Sequence, residues 1–141
     1  MFYGSFIHSL DDKGRVVIPA KMREQTGTKL FIMKGFDGAL SIFQEESFNK
    51  MMEEFSKLPF NHKASRDYMR TQLASVCELE IDRIGRVQIP SAMLAKYHIG
   101  KEVVILGALD HIEIWDKKAF EQYDNQTESD FEKTAEELGL N

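Results

Sequence analysis

The chain has a single cysteine, Cys77, only three prolines and no long apolar run. One thiol makes no internal disulfide, and it cannot by itself build a structural zinc site. The histidines, His8, His62, His98 and His111, stand at no metal-ligand spacing, so no metal or cofactor is expected. The longest apolar-rich stretch, near Val103–Leu109, is interrupted by Gly107. It falls well short of the roughly 20 residues that span a bilayer. The opening MFYGSFIHSLDDKGR lacks the basic start, apolar centre and small-residue cleavage site of a secretory signal. A cytoplasmic chain is therefore expected. No nucleophile elbow, phosphate loop or dinucleotide fingerprint occurs. Asp11-Asp12 reads as a turn rather than a catalytic pair, and Cys77 as a small residue within a strand. These absences point away from an enzyme and from a membrane protein.

Basic charge is also scarce, with a formal net charge of −5 over 141 residues. Its distribution matters more than its sum. Residues 116–141 hold eight acidic and three basic side chains, so the whole acidic excess lies there and residues 1–115 are neutral. Net charge bears on solubility and does not exclude a local basic patch.

What the chain does contain is an internal repeat. Asp11-Asp12-Lys13-Gly14-Arg15-Val16-Val17-Ile18-Pro19 matches Asp82-Arg83-Ile84-Gly85-Arg86-Val87-Gln88-Ile89-Pro90, and Met22 and Met93 extend the match. Further on, Gly35, Leu40-Ser41-Ile42-Phe43 and Phe48 parallel Gly107, Ile112-Glu113-Ile114-Trp115 and Phe120. The offset between the two blocks differs by one residue, as a loop insertion produces. Two blocks in the same order are stronger evidence of duplication than either block alone.

Each copy reads as β-turn-β-α-β-turn-β in roughly 45 residues. A short alternating strand comes first: Phe6, His8 and Leu10 on one face, or Cys77, Leu79 and Ile81. Asp-x-x-Gly is turn chemistry, because Asp accepts from nearby backbone amides and Gly tolerates positive φ. Arg-Val-x-Ile leaves as a strand with Val and Ile on one side and Arg on the other. Pro19 and Pro90 end these strands and suit the first position of a helix. Helices are expected over Ala20–Thr26 and Ser91–His98, closed by Gly27 and Gly100. Leu30–Met33 and Val103–Leu106 read as buried strands, Leu40–Phe43 and Ile112–Trp115 as the last strands. Below roughly 70–80 residues a core rarely supplies more than about 3–5 kcal/mol, so the two copies are expected to pack together.

Between and beyond the copies the spacing predicts helices over Glu45–Leu58, Ser65–Ser75 and Lys117–Leu138, the last broken within Asp124–Asp130. Their Met and aromatic stripes read as core or subunit packing. The division expected is residues 5–47 for the first unit, 48–75 for a helical connector, 76–119 for the second unit and 120–141 for an acidic helical tail.

The paired Asp-x-x-Gly-Arg-Val-x-Ile-Pro elements, and the start Met1-Phe2-Tyr3-Gly4, closely resemble the MraZ family over about Phe2–Phe120. The acidic tail matches least. The resemblance implies an α+β fold of two pseudo-symmetric swapped-hairpin (SpoVT-AbrB-like) β-barrel units with flanking helices. It also implies a sequence-specific, DNA-binding transcriptional regulator of the division and cell-wall gene cluster. Such a regulator acts as a homo-oligomer, a ring, on tandem repeat boxes in double-stranded DNA upstream of its own operon, associated with the nucleoid. The family's DNA-contact motif, Asp-x-x-x-Arg, falls on Asp11–Arg15 and Asp82–Arg86.

The residues themselves fit that role. An Arg at the exposed start of a strand can fork onto a phosphate or onto the O6 and N7 edge of guanine. Arg15 and Arg86 are the leading DNA-binding candidates, with Lys13 and Arg83 in the turns and Lys21 and Arg23 on the first copy's helix. Asp11, Gly14, Asp82 and Gly85 are expected to shape the loops. The duller alternative is that each Arg merely pairs with its Asp; the two roles are compatible. The first copy is expected to be the stronger surface, because it offers Lys13, Arg15, Lys21 and Arg23, and because Glu78 and Glu80 stand where it has Ile7 and Ser9. An antitoxin-like protein and a structural scaffold are the alternative functions. The duplicated unit argues against the former, and a DNA mobility shift separates the latter.

Overall fold

The computed structural model describes all residues, 1–141. The first repeat forms β1 (Ser5–Ser9), β2 (Arg15–Val17), α1 (Ala20–Thr26), β3 (Lys29–Lys34) and β4 (Leu40–Gln44). Helices α2 (Glu45–Ser56) and α3 (Lys63–Ser75) follow. The second repeat forms β5 (Cys77–Glu80), β6 (Arg86–Gln88), α4 (Ser91–Lys96), β7 (Glu102–Gly107) and β8 (Ile112–Asp116). Helices α5 (Lys117–Ser129) and α6 (Phe131–Glu137) end the chain. The fold is mixed α+β, and the two repeats carry the same string of elements.

The strands joined by each Asp-x-x-Gly turn do not pair with each other. One six-stranded sheet has the order β1-β7-β8-β4-β3-β5, and β2 and β6 form a separate two-stranded ribbon. Every pairing is antiparallel. Thus β1 of the first repeat lies on β7 of the second, with Phe6 opposite Ile105. Reciprocally, β5 of the second lies on β3 of the first, with Leu79 opposite Leu30. The pattern is unchanged when the repeats are interchanged. The physical reason is burial. A three-residue strand has too little apolar face to bury alone, but Val16, Ile18, Val87 and Ile89 together cover the sheet and enter one core.

The core lies between the ribbon and one face of the sheet. Leu30, Ile32, Leu40, Ile42, Val103, Ile105, Ile112 and Ile114 point inward, and Met22 of α1 and Met93 of α4 close the sides. The opposite face is covered by the longer helices: Phe48 of α2 stacks on Phe31 at 4.0 Å, and Phe120 and Tyr123 of α5 pack on Trp115. Strands β3 and β7 are buried on both faces, which is why Leu30–Met33 and Val103–Leu106 are continuous apolar runs rather than alternating ones.

Two local expectations shift. Pro19 and Pro90 sit one residue before their helices as N-caps, with φ near −52° and −54°. Gly27 closes α1 in the left-handed region at φ 68°. In the second repeat, however, the left-handed residue is His98 (φ 57°), not Gly100. The Ile99 N–H donates to the Leu94 carbonyl at 2.9 Å, and the buried Ile99 side chain seals that end. The tail helix breaks at Asp130, within the Asp124–Asp130 stretch where a break is expected, and stays helical up to Ser129.

Candidate nucleic-acid interface

The ribbon determines where the site residues face. In β2 and β6, Arg15 stands opposite Gln88 and Val17 opposite Arg86. Strand pleating sends Val16 and Val87 into the core, so Arg15, Val17, Arg86 and Gln88 share the outer face. The pairing is antiparallel, so the two Asp-x-x-Gly loops lie at opposite ends of the ribbon.

Both loops are built by one carboxylate. Asp11 Oδ1 accepts the backbone N–H groups of Lys13 (2.9 Å) and Arg15 (2.8 Å), and Oδ2 accepts Arg15 Nε at 2.6 Å. Asp82 repeats the arrangement: Oδ1 accepts Ile84 N–H (3.1 Å) and Arg86 N–H (2.9 Å), and Oδ2 accepts Arg86 Nε at 2.8 Å. The Arg15 and Arg86 backbone N–H bonds hold the two Asp pKa values below the ordinary carboxylate value, against desolvation and with help from the guanidinium groups. Both carboxylates are therefore ionised at neutral pH, and each aims its Arg.

The Asp takes only the Nε edge of each guanidinium. The terminal nitrogens of Arg15 donate to no protein acceptor, and Arg86 Nη1 approaches only Asp11 Oδ2, at 4.0 Å. That terminal edge is the one a guanidinium uses to fork onto a phosphate or a guanine. Pairing with Asp and availability to a ligand are thus properties of one side chain.

The other expected residues divide. Lys13, Arg83 and Lys21 are exposed, the first two at the loop tips and the third on α1. Arg23 is half-buried: its Nη1 donates to the Ile84 carbonyl at 3.2 Å, and its guanidinium lies against Gly85. Although it belongs to the first repeat, it braces the second repeat's loop. Gln88 does the converse, donating from Nε2 to the Lys13 carbonyl at 3.0 Å. Sequence reasoning missed Gln88. Its signal was a departure from the repeat, since Gln88 replaces Val17 just as Arg23 replaces Leu94.

One of the two grounds for the expected inequality between the copies is removed, while Lys21 remains an exposed charge with only Ala92 at the equivalent place. Glu78 and Glu80 alternate with the buried Leu79 and face the helical side of the sheet, where Glu78 pairs with Lys29 at 3.7 Å. They do not flank the arginines. With Arg23 under the second loop, the two loops are closer to equal than the sequence suggested.

The loop glycines differ in what crowds them. Both have positive φ, 77° at Gly14 and 87° at Gly85. A Cβ on Gly14 would lie 2.8 Å from the Ile89 carbonyl oxygen, whereas one on Gly85 would meet the Arg23 guanidinium. Backbone cannot yield as a flexible side chain can. Gly14→Ala is therefore expected to cost more than the about 1–2 kcal/mol of left-handed strain alone, and more than Gly85→Ala. Denaturant midpoints check the order, and equal losses would contradict it.

No group of three His, Cys, Asp or Glu residues is arranged to hold a metal ion. No helix is long and apolar enough to cross a membrane.

A duplicated unit with exchanged strands, presenting two carboxylate-braced arginines on one ribbon, defines the class to which the chain is compared. The family described as "MraZ protein, putative antitoxin-like" matches residues 1–71 and 73–141. A Mesoplasma florum protein named transcriptional regulator MraZ is 40% identical over 144 residues, covering 100% of this chain and 99% of that protein. Its namesake from Caldanaerobacter subterraneus subsp. tengcongensis is 38% identical over 138 residues, covering 98% and 96%. That of Lactiplantibacillus plantarum is 37% identical over 138 residues, covering 98% of each. The chain belongs to the MraZ family. The match reaches residue 141, so the acidic tail lies within it, which extends the resemblance beyond Phe120. A solution structure of a Pyrococcus horikoshii protein aligns at TM-score 0.35 with 17% identity, covering 79% of this chain and 94% of that one; the fold above rests on the strand pairings alone.

Proposed function

We propose that this protein is a sequence-specific, DNA-binding transcriptional regulator that grips double-stranded DNA with the outer face of the β2–β6 ribbon. The observation that carries the reading is the symmetric placement of Arg15 and Arg86, each aimed by its Asp with its terminal nitrogens unspent. Lys13, Arg83 and Lys21 supply phosphate contacts. Arg23 acts indirectly by holding the second loop in shape, as Asp11, Gly14, Asp82 and Gly85 shape the two turns. The relatives' shared name, transcriptional regulator MraZ, supports the same reading.

A protomer with about two to four phosphate contacts binds duplex loosely, because each contributes only about −0.9 to the salt slope. Useful occupancy then requires several linked protomers on repeated boxes, where effective concentration replaces single-site affinity. The reading is thus a homo-oligomer, a ring, on tandem boxes upstream of its own operon in the division and cell-wall cluster, in the cytoplasm at the nucleoid. The two repeats work as one interleaved unit within each protomer.

The test is a mobility shift with DNA upstream of the chain's own gene, at 50 and 200 mM salt. The expected result is a shift with multi-box DNA that weakens on the order of 10³-fold or more between the two salt concentrations, as several protomers engage. A scaffold would give no shift. Tight binding of a monomer to a single box would overturn the oligomeric part.

A further inference from the structure

The turn between β7 and β8 carries a histidine with more acceptors than a neutral ring can serve. His111 Nδ1 lies 2.8 Å from Asp110 Oδ1, and Nε2 lies 3.1 Å from Glu113 Oε2. A neutral imidazole has one N–H and one lone pair, so it can donate to only one of the two carboxylates. The imidazolium donates to both. The ring is held in place: it stacks on Phe43 at 5.1 Å, and its side chain is 21% exposed. Glu113 is fixed as well, since its Oε1 accepts Trp115 Nε1 at 2.9 Å. Asp110 bonds through its side chain to His111 and is otherwise solvated, at 69% exposure.

The charges around the ring favour the cation. Helix α2 faces the same cleft with Lys50, Glu53 and Glu54. Lys50 pairs with Glu46 at 3.4 Å and Glu54 with Lys57 at 3.1 Å, which leaves Glu53. Strand β4 contributes Phe43 and, opposite Glu113, the neutral Ser41. The N-terminal amine is held by Gln25 of α1. Burial works against the charged ring, but the bonds to Glu113 and Asp110 outweigh it and hold the His111 pKa above the ordinary imidazole value. The same His111 bond is the main reason that Glu113 lies below the ordinary carboxylate value, against burial and with help from Trp115.

The turn is strained, and it holds the start of the chain. Leu109 has φ 72°, in the left-handed region that residues with a side chain seldom adopt. The Leu109 N–H donates to the Phe2 carbonyl at 2.9 Å, and the Phe2 N–H to the Leu109 carbonyl at 2.8 Å. The Gly107 N–H donates to the Gly4 carbonyl at 2.8 Å, and a Cβ on Gly107 would collide with the Tyr3 backbone. These contacts keep Phe2, 3% exposed, in the core.

We propose that His111 is a proton-operated latch: its imidazolium cross-links Asp110 to Glu113 and so holds the strained turn against which the Phe2 segment is paired. On loss of the proton the ring keeps its bond to the better-fixed Glu113. The Nδ1 lone pair then faces the Asp110 carboxylate, and the tip of the turn is released. The sign follows from the raised pKa. The latch is fully closed below the ordinary value of 6.5 and opens as pH rises through the raised one. No residue of the ribbon takes part, so the latch stands apart from the DNA reading.

The test follows amide hydrogen exchange of Gly107 and Leu109 from about pH 6 to about pH 9, corrected for intrinsic rates, across the range where histidine titrates. Ile32 of β3 is the core reference, and the His111 ring titration is read by NMR. Protection of Gly107 and Leu109 is expected to fall on the order of tenfold at the midpoint of the ring titration, while Ile32 stays constant. His111→Gln keeps a donor but does not titrate, so it should abolish the step. Asp110→Asn, at an exposed position, should move the ring titration and the step together to lower pH, and it carries the test alone if His111→Gln does not fold. Wild-type protection that ignores pH, a step that survives His111→Gln, a step that Ile32 shares, or a ring titration unmoved by Asp110→Asn would each overturn the proposal.

Discussion

Alanine at both Arg15 and Arg86 is expected to abolish the salt-sensitive shift of promoter DNA while leaving the protein folded. Each well-placed Arg fork is worth about 1–3 kcal/mol against a base edge, so losing two per protomer weakens binding by roughly 10²-fold or more. In a linked assembly on several boxes the losses multiply, because every protomer carries both changes. Stability should hardly move. The arginine side chains are 30% and 28% exposed, their Asp pairs lie at the surface, and such pairs contribute about 0–1 kcal/mol. The single variants are expected to be similar in effect, contrary to the ranking read from the sequence, because Glu78 and Glu80 face the other side of the sheet. Lysine at either position should give an intermediate loss, since it keeps the charge but not the planar fork that Asp11 or Asp82 aims. A double-alanine variant that shifts the multi-box DNA as the wild type does would remove the ribbon from the DNA interface.

The order of elements was legible because each has a local cause. Asp and Gly at fixed spacing make the loops, proline ends a strand and precedes a helix, and continuous apolar runs mark strands buried on both faces. The loop chemistry at Asp11 and Asp82 was legible for the same reason, since a carboxylate bonding amides two and four residues on is a local event. Partner choice was not. The alternation of Phe6, His8 and Leu10 says which face is buried, but β2 and β7 both present a matching apolar face. The decision between them is a property of the whole core. Arg23 shows the consequence. Read along the chain it adds charge to the first loop, but the exchange of strands carries α1 to the second. The tail break, by contrast, was legible: it falls at Asp130, inside the polar stretch Asp124–Asp130, although the solvated helix tolerates the polar residues before it.

Ile114→Ala is expected to destabilise the protein by about 2–5 kcal/mol, in one cooperative transition that takes both repeats with it. Ile114 is fully buried, at 0% exposure, in the middle of β8. It stands opposite Leu40 of the first repeat on one side and Ile105 of the second on the other. A cavity there opens beneath strands of both copies, and the surrounding side chains belong to one cluster that includes Val16 and Val87 of the ribbon. The melting temperature should therefore fall by on the order of 10 °C at fixed protein concentration, a condition that matters for an oligomer. Ile7→Ala is the control, because Ile7 is 65% exposed on the outward face of β1, and its loss should stay within about 0.5 kcal/mol. The argument depends on the repeats being unable to stand apart, since each gives an outer strand of the sheet to the other. It fails if residues 5–47 keep a separate, unshifted melting transition in the Ile114→Ala variant, when followed by amide signals of β1 and β3. In that case the exchanged strands would contribute little to stability, and the ribbon that holds Arg15 and Arg86 together would not depend on them.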